Sequence, residues 1–378
     1  MRKNIIVILS FLLLSLLTAC GGGNTPAVNL DSNVDGIDYN SYAGSKSFFS
    51  YTDSAYIFFN NGQLTFLEPT LSSPIAPLCA KPGCDHKTED CTSRLNASGI
   101  YAYEDKLYYI LWNTAGNTLE LYSSDMYGAG RKKVSTLNIS TGSNFSYEHN
   151  IGNGFAVVNL CNWKVDSQTQ TLYLVHLASA DETPTILFDV AYTEAEMHDG
   201  IAPTGVDRIW TWDNWVLFNV FNGDNYTLYG YNDESKEVSP LVENWAWNGN
   251  LAIQEDTLYW YIPGQSLHAT QLSTGEDSMF TGDLPQSLDT IYYTFFDDQY
   301  IYLVSPDGSD QTEVYDYTGK LMQKMPFDAE NRTLMFALPT PDYVFFYDFD
   351  ADTCEPVCYL EKSAIANGTA EYIPLEHE

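Results

Sequence analysis

Seven times along this chain a small, polar or proline residue is followed, after one spacer, by four mostly aromatic or aliphatic residues. The element reads Ser54 then Tyr56–Phe59, Asp105 then Leu107–Ile110, Asn153 then Phe155–Val158, and Asp213 then Trp215–Phe218. It continues as Asp256 then Leu258–Tyr261, Asp298 then Tyr300–Leu303, and Pro341 then Tyr343–Phe346. Successive starts are 51, 48, 60, 43, 42 and 43 residues apart. Further short runs of Tyr, Val, Leu and Ile, separated by Asn, Asp and Gly turns, fill each interval in a constant order. After Leu107–Ile110 come Leu119–Tyr122, the turn Asp125–Gly130 and then Arg131–Val134. Short β-prone runs between turn residues are strands, and self-similarity at 40–50 residues marks one supersecondary unit repeated along the chain.

A unit of this kind cannot bury both of its faces alone, so neighbouring units must pack on one another. The expected fold is therefore all-β, a β-propeller of seven four-stranded blades. Six or eight blades follow if a terminal unit is misread, and a pair of β-sandwiches is the competing architecture. The 60-residue interval carries an insertion, Asp189 to Gly205. Within it, Thr193–Glu196 has the form of a capping box, which predicts one helical turn on a loop.

The N-terminus has a different character. Arg2 and Lys3 precede a nearly unbroken apolar run, Ile5 to Leu17, and small residues lead to Cys20. That order is a secretory signal. The run is shorter than the roughly 20 apolar residues needed to span a bilayer. Leu17-Thr18-Ala19-Cys20 resembles the lipobox of bacterial lipoproteins. The resemblance implies removal of residues 1–19, acylation of Cys20 and tethering at the extracytoplasmic face of the cell membrane. Residues 20–47, rich in Gly, Asn, Asp and Ser, form the expected tether, with a typical reach of about 30 Å. Residues 48–378 form the propeller domain. A net charge of −33 makes nucleic acid an unfavourable partner, because phosphates meet a repulsive field.

Leu121-Tyr122-Ser-Ser-Asp125-Met-Tyr-Gly128-Ala-Gly-Arg131-Lys-Lys-Val134 resembles the repeat of LDL-receptor-like (YWTD) and TolB-like propellers. Pro77-Leu-Cys79-Ala-Lys-Pro-Gly-Cys84-Asp-His86 resembles a segment of uncharacterised bacterial propeller lipoproteins. These resemblances imply a fold and an address and carry over no catalytic residue.

The chain contains no Gly-x-Ser-x-Gly, His-Glu-x-x-His, P-loop or dinucleotide glycine motif. The expected role is binding of a protein, peptide or glycan without catalysis. A carbohydrate-active propeller enzyme, either glycosidase or lyase, is the alternative, since a pair among 50 acidic residues would suffice. Six of the eight tryptophans lie between Trp210 and Trp260. Trp215 and Trp260 belong to the strand element. Trp210, Trp212, Trp245 and Trp247 fall in connecting segments and are candidate ligand-binding residues, with packing between blades as the other reading. Cys79, Cys84, His86 and Cys91 lie within 13 residues of a loop rich in Pro, Gly, Lys and Asp. Three thiols and an imidazole suit structural zinc. Disulfides are the competing account in an exported protein, with Cys161 or the pair Cys354 and Cys358 as further partners.

Overall fold

The computed structural model describes residues 49–376 except 53, 61, 80, 82, 89–90, 96, 180–182, 198–201, 224, 246–250, 263–265, 281–292, 306–310, 327–333 and 349–354. Cys20 and the tether lie outside the described residues, as do Trp247 and Cys354. Among the described residues no helix is long and apolar enough to cross a membrane.

The fold is a seven-bladed β-propeller. Seven antiparallel sheets of four strands follow one another, each built from consecutive strands. The blades span residues 49–77, 98–138, 144–193, 204–243, 251–279, 293–326 and 334–374. All seven recurring apolar runs are the second strands of their blades, from Ala55–Asn60 in blade one to Tyr343–Asp348 in blade seven. First strands touch one another from blade one through blade four and again from blade five through blade seven, which places them at the centre of the ring.

The core is a set of seven layers, one between each pair of blades. Side chains alternate across a strand, so a second strand feeds two layers at once. In Lys106–Asn113, Leu107 and Tyr109 pack towards blade one, while Tyr108 and Ile110 pack towards blade three. This double burial explains why the runs are continuously apolar. The polar residue before each run belongs to the hairpin joining the first and second strands. Glu104 and Asp105 have φ of 46° and 59°, and Asn153 and Gly154 have 50° and 78°. Two successive left-handed residues form the tight hairpin turn that Asn, Asp and Gly favour.

Blade seven closes on blade one through packed side chains and a backbone hydrogen bond. Tyr56 and Phe345 stack edge to face with centroids 4.9 Å apart, and the Ile75 N–H donates to the Glu376 carbonyl at 3.2 Å. No sheet among the described residues mixes strands from the two ends of the chain. Blade six is tied to blade seven by Lys362, 3% exposed. Its ammonium meets Asp298 and lies 3.3 Å from Oδ2 of the fully buried Asp297.

The long interval differs from expectation. Its first residues extend the outer strand, Thr185–Thr193, because all strands of blade three run to nine or ten residues. The helical turn is a single 3-10 turn, Glu194–Glu196. Both the N–H and the hydroxyl of Thr193 donate to Glu196 Oε2, at 2.9 and 2.7 Å.

Candidate metal centre

Between the last strand of blade one and the first of blade two the chain makes a loop with two apolar anchors. Leu78 and Leu95, each 1% exposed, are buried in the layer between these blades. Backbone bonds dock the same points: Leu78 N–H to Leu64 O at 2.9 Å, and Leu95 N–H to Gly62 O at 2.8 Å. Between the anchors the sequence offers few apolar contacts, and the loop is ordered by short turns and by its sulfur atoms. The Cys84 N–H donates to Lys81 O and the Cys91 N–H to Thr88 O. His86 adopts a left-handed φ of 56°, and its carbonyl accepts from Arg94 Nε at 2.9 Å.

The loop brings all four sequence-predicted ligands together. One donor atom each from Cys79, Cys84, His86 and Cys91 lies within 4.8 Å of the others. His86 Nδ1 is 3.4 Å from Cys91 Sγ. Four N and S donors bound tetrahedrally to one zinc ion stand roughly 3.5–3.8 Å from one another, so small shifts would close this set on an ion. Cys91 is buried, while Cys79, Cys84 and His86 are half-buried.

The thiols sit in unequal fields. Burial raises the Cys79 thiol, but donors from Lys81, Thr92 and the neighbouring thiols outweigh it and hold its pKa below the ordinary value. At Cys84 the His86 backbone lowers the pKa, yet burial and the nearby Cys91 and Cys79 push it up overall. One thiolate thus forms readily and the next is resisted by it, until a cation neutralises both. The three cluster cysteines are thiols in this structure. Cys161 lies on the second strand of blade three, where its thiol is free and accepts from Gln168 Nε2 at 3.3 Å. Cys358 is buried in the layer between blades six and seven; its proposed partner Cys354 falls outside the described residues.

The tryptophan expectation needs correction. Trp210 and Trp245 are each 2% exposed and are core, not ligand-binding surface. Trp245 sits 6.3 Å from Trp210, edge-on, and 4.9 Å from Trp260, tilted, centroid to centroid, so the three rings form one cluster in the layer between blades four and five. Trp210 and Trp212 lie on the first strand of blade four, Thr204–Trp212, and not in a connecting segment as expected. Trp245 follows the outer strand and docks that connection into the layer by burying its ring. Trp212 is half-buried against the same layer and the next one.

No known family model matches the chain, and no curated protein matches it in sequence. Solved structures match in shape. One is a prolyl endopeptidase, 11% identical with a TM-score of 0.54, covering 89% of this chain and 51% of its own, so this chain spans about half that length. Another is an oligogalacturonate lyase in complex with manganese, 11% identical with a TM-score of 0.47, covering 85% and 86%. TolB from Acinetobacter baumannii is 14% identical with a TM-score of 0.34, covering 70% and 61%. At such identities the likeness is one of fold.

Proposed function

We propose that this chain is an exported bacterial lipoprotein, anchored through an acylated Cys20 at the extracytoplasmic face of the membrane. Its propeller binds a protein, peptide or glycan, and its Cys79–Cys91 loop holds one structural zinc ion that clasps blade one to blade two. The observation that carries the metal reading is the convergence of three sulfurs and one imidazole nitrogen within 4.8 Å. A Cys₃His set with no position left open for water suits a structural ion. The anchor is supported by the apolar run Ile5–Leu17 ending at Cys20, since two acyl chains on one residue suffice for stable attachment.

Metal analysis and thiol counting on anaerobically purified protein test the zinc. One zinc per chain is expected, with three thiols protected until a chelator removes the ion. Absence of metal with all thiols freely reactive overturns the reading. For the anchor, Cys20→Ala should release the protein from membranes; a variant that stays bound after a high-salt wash would mean that another segment holds it.

A further inference from the structure

Blade five carries a second constellation, far along the chain from the cysteine loop and independent of it. Its third strand, Ser266–Gln271, places Ser266, His268 and Thr270 on one face. The outer strand, Asp277–Met279, pairs Asp277 with Thr270 and adds a carboxylate to that face. The polar atoms form an ordered chain. Ser266 Oγ is 2.6 Å from His268 Nε2, and His268 Nδ1 is 2.8 Å from Asp277 Oδ2. The other carboxylate oxygen accepts from the Thr270 hydroxyl at 2.7 Å, which in turn accepts from Trp260 Nε1 at 2.9 Å. The Trp260 indole lies against the His268 ring, 4.3 Å between centroids and 21° from parallel.

We infer that Ser266, His268 and Asp277 form a nucleophile–base–orienter set for acyl transfer, acting on a small carboxylic ester. A serine on Nε2, a carboxylate on Nδ1, and a third group fixing that carboxylate are the roles by which such a triad is recognised, whatever its order in the chain. With its Nδ1 proton held by Asp277 and one ring face held by Trp260, the imidazole keeps a single free function, proton exchange at Nε2. Ser266 is half-buried and the Asp277 side chain 39% exposed, so the site is shallow. Such a site offers little to grip an extended substrate and suits a compact ester with a good leaving group.

The atoms balance without any redox partner. Ser266 Oγ attacks the ester carbonyl carbon while its proton passes to His268 Nε2. The carbonyl carbon–alkoxy oxygen bond breaks, and the departing alcohol takes that proton. Water then attacks the acyl-serine, again through Nε2, releasing the acid and restoring the serine hydroxyl. Asp277, bonded to Nδ1, steadies the imidazolium.

The test uses the detergent-extracted full-length protein, a fluorophosphonate probe and p-nitrophenyl acetate. The folded wild type should carry a covalent adduct on Ser266, found by peptide mass analysis. Ser266→Ala should abolish it. His268→Gln should slow labelling and ester hydrolysis by about 100-fold and Asp277→Asn by at least about 10-fold, with thermal melting confirming that each remains folded. A wild type that is not labelled at Ser266 overturns the inference, and so does a folded His268→Gln variant that labels at the wild-type rate. Neither result depends on whether the cysteine loop holds zinc.

Discussion

His149 faces the layer between blades two and three with its Nε2 buried and without a partner among the described residues. Burial lowers its pKa to about 4, against a weaker upward pull from the Ser98 backbone. The folded state therefore favours the neutral ring. Below pH 6.5 the unfolded chain takes up a proton that the native site refuses until about pH 4, so stability present above 6.5 is lost as pH falls through this window. The shift corresponds to at most about 3 kcal/mol. His149→Gln, which keeps a donor but does not titrate, should flatten that part of the acid profile. Urea unfolding of both proteins at pH 7 and pH 4.5 reads the difference, and parallel profiles would refute it. Residue-scale chemistry was unevenly legible in the sequence. Cys79, Cys84, His86 and Cys91 announce themselves because all four lie within one short loop. Ser266, His268 and Asp277 do not, since an i, i+2 pair and an acid nine residues on converge only once the strand register is known. That register rests on a hairpin whose outer strand is three polar or exposed residues long, too weak a pattern to place beforehand.

At the scale of elements, a turn of blade two packs against the end of the cysteine loop. The turn of blade two containing Asp125–Gly130 lies under the cysteine loop. Arg131 Nη2 donates to the Arg94 carbonyl at 3.0 Å, and Asp125 Oδ1 accepts from the Tyr127 and Ala129 N–H groups at 3.0 and 2.8 Å. Gly128 has φ of 79°, and a Cβ there would overlap the carbonyl oxygen of Thr92, the residue after Cys91. Glycine is required twice over, for its backbone angle and for the close approach. Gly128→Ala should cost about 1–3 kcal/mol in backbone strain and push the loop away from blade two, lowering zinc content together with stability. Calorimetric melting with parallel metal analysis decides this. Full metal content at wild-type stability would show that turn and loop are not coupled. Second strands were legible because both their faces are buried. Outer strands such as Glu237–Glu243, exposed along most of their length, read as turns and polar segments, and only their position after three clear strands identified them.

The whole molecule is a ring whose closure rests chiefly on packed side chains rather than on a shared sheet. Every blade takes its four strands from consecutive sequence, so among the described residues no strand from one end of the chain completes the sheet at the other. The layer between blades seven and one, with Phe49, Tyr56, Phe58, Leu338, Phe345 and Tyr347 all buried, has to hold the ends together. Seven repeats in the sequence implied seven blades, but not how the ring shuts: a closed ring and an open stack share the same local pattern, and only long-range packing separates them. In an array of units that touch only their neighbours, stability is close to a sum of unit and interface contributions. Removing one interface from an open stack would free a terminal blade, whereas in a closed ring it weakens the whole. Phe345 is the probe, being fully buried with its ring 4.9 Å from Tyr56 and 6.2 Å from Phe58. Phe345→Ala removes a large ring from a rigid layer and should cost about 3–5 kcal/mol. Urea unfolding followed by tryptophan fluorescence reports mainly from blades four and five, since six of the eight tryptophans fall between Trp210 and Trp260, on the far side of the ring from the substitution. If the ring is closed and cooperative, that distant signal shifts to lower urea along with the far-ultraviolet circular dichroism, in a single transition. A tryptophan transition left in place while part of the dichroism melts early would mean that blade seven peels away alone and that the closing layer does not bind the ring into one unit.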